Sequence, residues 1–184
     1  DLVSENPDRA LHARQMLRHG GPSVADALAV FLEGHRELTP AAVKAVKEAQ
    51  YAALLADIDG IEPDALAHRL VFGTLDIRQK SILNLPPAGA KTTRLLCDYL
   101  DDPDPMIREA AVDALVASGA RGLAGLLEQR LKEEKDQDVV CAILRNLGGV
   151  KSKKGLALLT TYIAHSNEDL AITALNSMAR LKAK

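Results

Sequence analysis

The chain has 184 residues, 47% of them hydrophobic and 26% charged, with a formal net charge of −2. Such a length can bury a sizeable core, and so small a charge gives no bulk electrostatic case for nucleic acid or an anionic membrane. Alanine and leucine abound, the aromatics are Phe31, Phe72, Tyr51, Tyr99 and Tyr162, and Trp is absent, a composition that suits packed helices better than a sheet.

Helix signals run the length of the chain. Asn6-Pro7 opens a first helix to about His19, closed by Gly20-Gly21. Ser23 then starts a second from Val24 to about His35, with Asp26 completing an approximate capping box. Thr39-Pro40 opens a third, reaching Ala56 with Val43, Val46, Ala49 and Ala53 at helical spacing. Asp57 to Gly60 breaks it, Pro63 opens a short helix to Phe72, and Gly73 ends that one. The clearest unit follows later. Asp104 caps, Pro105 suits the first turn, an apolar stripe follows, and Gly119 stops it.

From Thr74 that stripe recurs. One column runs Ile77, Ile107, Val139, Leu170, a second Ile82, Val112, Leu144, Leu175, and a third Leu85, Leu115, Leu147, Met178. A fourth, mostly small, is Ser81, Ala111, Ile143, Ala174; all four step by 30, 32 and 31 residues. Between these first helices lie second helices with their own register: Leu95-Leu96, Leu126-Leu127 and Leu158-Leu159, then Leu100, Leu131 and Ile163. A short period holding two helices, neither able to bury its apolar face alone, predicts stacked antiparallel hairpins, an all-α solenoid. The expected repeats are 74–101, 104–133 and 136–165, with a half repeat over 167–184 and a degenerate earlier copy at 39–72. Residues 1–38 are expected to pack as an N-terminal cap.

The segment from Asp104 to Leu115 resembles the first helix of a HEAT repeat, closest to the short bacterial HEAT-like type also called the phycobilisome-lyase repeat. Thr74 to Leu85 resembles it too, keeping Ile77, Arg78 and Leu85 but with Thr-Leu in place of the Asp-Pro cap. Asp136 to Leu147 keeps the apolar columns with Val140 at the arginine position, and the last copy keeps the columns alone. The likeness covers 74–184 well, 39–72 weakly and 1–38 not at all; no tetratricopeptide or ankyrin signature is present. It implies a right-handed α–α superhelix, and for Arg78 and Arg108 a role in holding neighbouring repeats together.

The wheel agrees with that role, since each arginine lies between two core columns, and Asp104 stands four residues before Arg108 in the favourable acid-first order. Arg69, Tyr99, Arg130 and Tyr162 fall at matching positions, 30, 31 and 32 residues apart, along successive second helices. They predict an alternating ladder with Arg130 between two rings, an intramolecular contact rather than a ligand stripe. The outward face of the second helices carries Arg94, Asp98 and Asp101, then Gln129 and Lys132, then Lys154 and Thr161, with Gly125 and Ala157 leaving its middle shallow. That face is either a partner surface or a solvated one. Its mixed charge argues against a phosphate backbone.

Residues 151–184 concentrate Lys151, Lys153, Lys154, Arg180, Lys182 and Lys184. In Lys151-Ser152-Lys153-Lys154, Ser152 is the expected cap, and lysines opposing a helix dipole mark either a solvated turn or an anion site. His12, His19, His35, His68 and His165 form no metal pattern, and no H-E-x-x-H, paired C-x-x-C or phosphate loop occurs. Cys97 and Cys141 are far apart, fall near solvent-facing wheel positions, and suggest neither a disulfide nor a zinc site. No catalytic constellation, cofactor or metal site emerges.

The expected function is therefore a non-catalytic module presenting the second-helix face to another protein or peptide. The alternatives are a subunit of a HEAT-like enzyme such as a phycobilin lyase, which the family resemblance raises, and, third, a nucleic-acid-binding HEAT-like protein. No apolar run spans a bilayer and no signal peptide is visible, so the cytoplasm is the default location, although the missing initiator Met points to processing, trimming or a fragment. The final half repeat lacks a second helix. Its apolar residues cap the stack directly, continue into further chain, or form a homodimer.

Overall fold

A computed structural model describes residues 7–56, 58–87, 89–150 and 152–182. Among the described residues there is no strand, and no helix is long and apolar enough to cross a membrane. The helices are α1 (Pro7–Arg18), α2 (Gly21–Gly34), α3 (Pro40–Leu55), α4 (Pro63–Phe72), α5 (Leu75–Leu83), α6 (Ala90–Tyr99), α7 (Pro105–Ala117), α8 (Leu123–Glu133), α9 (Gln137–Leu147), α10 (Lys153–Ile163) and α11 (Glu168–Lys182). They fall into two compact units, residues 1–81 and 82–184. The division lies inside α5, so it splits the expected repeat 74–101, and it groups 39–72 with the N-terminal helices instead of separating them at 38/39.

In the first unit α3 is central, with α1, α2 and α4 packed on it. Its C-terminal half is buried all round, from Glu48 to Leu55, because Ala49, Ala52 and Ala53 let neighbouring backbones approach closely. Thr39 caps it as expected, its Oγ1 accepting from the N–H of Ala42 at 3.2 Å. The start of α2 differs from expectation. Ser23 lies inside the helix, which begins at Gly21 after Gly20 with no side-chain cap. Gly21 adopts φ +54°, a conformation open to glycine, so the pair read as a stop also serves as the next start. Gly73 ends α4 as expected, and Arg78 Nε donates to the Leu70 carbonyl at 3.2 Å, satisfying an acceptor in that helix's last turn.

In the second unit, α9 packs against both α7 and α11, α10 packs as extensively on α11, and α6 on α7, while slighter contacts join α8 to α9 and α10, α9 to α10, and α7 to α8. The columns of the central helices are sealed: Ile107, Val112, Leu115, Ile143, Leu144 and Leu147 are all fully buried. Gly148 lets α11 dock closely, since a Cβ there would lie 2.7 Å from the Ser177 carbonyl oxygen. Polar contacts tie the same layer together. Arg145 reaches Glu109 at 3.2 Å and Asp113 at 3.5 Å, and Arg180 donates to the Arg145 carbonyl at 2.7 Å.

Three turns repeat one device. Asp104, Asp136 and Asn167 cap α7, α9 and α11, accepting backbone N–H groups two or three residues on. Two residues before each cap a second acceptor holds the cap's own N–H: Asp102 for Asp104 at 3.0 Å, Glu134 for Asp136 at 3.0 Å, His165 for Asn167 at 3.1 Å. Each turn closes on itself.

Candidate functional site

The second-helix face is built by the burial pattern of α8 and α10. Leu123, Leu127 and Leu131 turn one stripe of α8 inward, leaving Gly125, Gln129 and Lys132 exposed. On α10, Gly155 and Leu159 are buried and Lys154, Ala157 and Thr161 are exposed, with Ser152 capping the helix as expected. Lys151, part of the predicted basic run, lies outside the described residues, as does Lys184.

Two shallow depressions occupy this face. One is lined by Glu128, Lys154, Ala157, Leu158 and Thr161; the other by Cys97, Leu100, Asp101, Leu126, Gln129, Arg130 and Glu133. Their volumes, about 210 and 180 Å3, fall below the roughly 300–1,000 Å3 of small-molecule sites. A larger hollow of about 420 Å3 at the turns before α8 and α10 is lined by glycines, alanines and the aliphatic Val116, Leu123 and Val150, with Ser152 its only polar side chain, and that hydroxyl is already capping. The predicted residues Asp101, Gln129, Lys154 and Thr161 thus do line hollows on one face. Arg94 and Asp98 do not stand out from it: both are half-buried and neither lacks a partner.

Glu128 is the residue that sequence reasoning overlooked here. Its Oε1 accepts from Lys132 Nζ at 3.1 Å, and its Oε2 lies 4.0 Å from Lys154 Nζ. The spacing to Lys132, four residues acid-first, was readable; the approach of Lys154 from another helix was not.

Behind the face sits a second overlooked acid, Glu134, its side chain 2% exposed. Arg108 grips it in a two-bond fork, Nε to Oε2 and Nη2 to Oε1, each 2.9 Å. Arg130 adds Nη2 to Oε2 at 2.8 Å, and the backbone N–H groups of Lys135 and Asp136 complete the shell. Burial alone raises the carboxyl's pKa, but the Arg108 fork, the Asp136 N–H, Arg130 and the Lys135 N–H outweigh it and bring it to about 2. Arg108 also donates to the Asp102 and Pro103 carbonyls.

Two expectations are corrected by this arrangement. Asp104 does not pair with Arg108: its Oδ1 accepts from the Met106 N–H, and the guanidinium is taken up by Glu134 and the Asp102 and Pro103 carbonyls. The Arg/Tyr ladder is replaced by ion pairs: Arg130 reaches Glu134 and, through Nη1, Asp101 at 2.8 Å, while Tyr162 stacks on His165 at 5.4 Å. A guanidinium within reach of two carboxylates gains more from full charges than from a ring quadrupole. Tyr99 is buried, and Arg69 is exposed on α4.

Cys97 and Cys141 are half-buried rather than solvent-facing. Burial, then Asp98 and Asp101, push the Cys97 thiol up, the opposite of what an activated nucleophile needs. Among the described residues no group of three or more His, Cys, Asp or Glu is placed to hold a metal ion. No family model, curated protein or solved structure matches this chain.

Proposed function

We propose that the chain is a HEAT-like α-solenoid acting as a non-catalytic interaction module, with the face of α8 and α10 and the adjoining Asp101 presented to another protein. The observation that carries this reading is the face itself. Exposed small residues, Gly125 and Ala157, are set among exposed polar ones, Gln129, Lys132, Lys154 and Thr161, and the hollows at Ala157 and at Gln129 are too small for a small-molecule site. Such a relief suits a helix or extended segment laid across it. The solenoid reading rests on the side-by-side neighbours α7/α9/α11 and α8/α10, which is how stacked hairpins pack.

The test is site-specific photo-crosslinking in cells. A crosslinker at Gln129 is expected to capture another protein, and one at the exposed Asn176 of α11 is not. Capture from neither position, or equally from both, would remove the assignment of this face.

A further inference from the structure

The groove between α8 and α10 has an unusual charge arrangement. Lys132 and Lys154 are 69% and 74% exposed, and both face the single carboxylate of Glu128, which is 26% exposed. One carboxylate between two ammonium groups leaves one positive charge uncompensated on the rim. The floor is aliphatic, with Ala157 and Leu158.

We infer that this groove takes an acidic, apolar-faced helical segment of a partner protein, and that Glu128 occupies the lysines as an internal stand-in for the partner's carboxylates. The inference rests on the proposed interaction role and adds the chemistry of the partner. Charge complementarity selects the acid: a ligand carboxylate satisfies Lys154, which Glu128 holds only at 4.0 Å, while Lys132 keeps its closer pair. The shallow aliphatic floor of Ala157 and Leu158 suits the apolar stripe of a helix laid across it. A protein ligand fits better than RNA because the lining of Glu128, Lys154, Ala157, Leu158 and Thr161 contains no aromatic ring on which a base would stack. Glu128 then sets the affinity from within the site.

The experiment is fluorescence anisotropy on the full chain with a labelled helix-forming peptide of about 16 residues, long enough to follow an eleven-residue helix. Glutamates flank its Leu/Ala stripe. The comparison probes are the same peptide with glutamine for glutamate, and an oligouridine of similar charge. Wild type is expected to prefer the glutamate peptide about tenfold over the glutamine one; Lys132→Glu with Lys154→Glu abolishes that preference, and Glu128→Gln tightens binding several-fold. Both lysines are surface side chains, so circular dichroism and thermal melts verify that the variants fold. Equal affinity for the two peptides, no binding of either, or weaker binding by Glu128→Gln overturns the inference. So does tighter binding of the oligouridine, which would make the groove a nucleic-acid site. Crosslinking at Gln129 separates the two failures: capture that survives the double lysine reversal leaves the interaction role standing without this chemistry, and loss of capture in wild type removes both.

Discussion

α9 and α11 carry the same apolar register and end up in different surroundings. In α9, Val139, Ile143, Leu144 and Leu147 are at most 1% exposed, because α7 covers one side and α11 the other. In α11, which packs on α9 and α10, Leu170 and Ala174 are buried, but Leu175, in the column of Leu144, is 50% exposed and Ile172 is 54% exposed. The column records where a residue sits on its helix. What it is worth depends on how many neighbours that helix has.

The largest effect should come from testing the column directly. Leu144→Ala is expected to cost about 2–5 kcal/mol in a denaturant titration, and Leu175→Ala, one step along the same column, less than about 1 kcal/mol. Equal costs would mean that α11 is covered in solution on its outer side. Next comes Glu134→Gln, which leaves Arg108 and Arg130 without their shared anion and should cost about 2–4 kcal/mol at neutral pH. Its pH dependence has a definite sign. The folded carboxyl lies at about 2 against an ordinary 4.5, so its stabilisation is complete above 4.5 and is lost as pH falls through 2. The gap between wild type and variant should therefore close across that window; a gap independent of pH would mean that charge is not what Glu134 supplies.

Gly148→Ala should cost about 1–3 kcal/mol by driving a Cβ into the α11 backbone. Gly125→Ala, inside α8 with open space around it, should instead stabilise by up to about 1 kcal/mol. The pair separates a glycine required by packing from one that packing does not require. A similarly small effect is expected of Asp136→Ala, about 1 kcal/mol from the α9 cap, read as a shift in thermal midpoint. Because the Asp136 N–H is also held by Glu134, the turn keeps its closure in this variant.

Local signals were the legible part of this chain. The starts of α3, α4, α7, α9 and α10 follow from Thr39, Pro63, Asp104, Asp136 and Ser152, and every column residue of α7 and α9 is buried. What escaped depends on distance along the chain. Glu134 matters because Arg108, 26 residues earlier, folds back on it, and no helical wheel contains that contact. The ladder assumed that Arg130 had only rings to meet, whereas Asp101 and Glu134 were nearer. Ile77 opens the first column, yet it is 42% exposed on α5, the helix within which the two units divide. Glu134 did leave one trace: an acceptor two residues before a cap, at steps of 32 and 31 residues, in Asp102, Glu134 and His165.

Those turns bear on how the second unit assembles. Each sets the entry of the following helix with hydrogen bonds between residues two or three apart, so its geometry can form before the helices have packed. Loop closure over so few residues costs little entropy, and a chain rich in such contacts has a low contact order. The helices of residues 82–184 are then delivered in register, leaving the long-range leucine contacts to be made between elements already correctly phased.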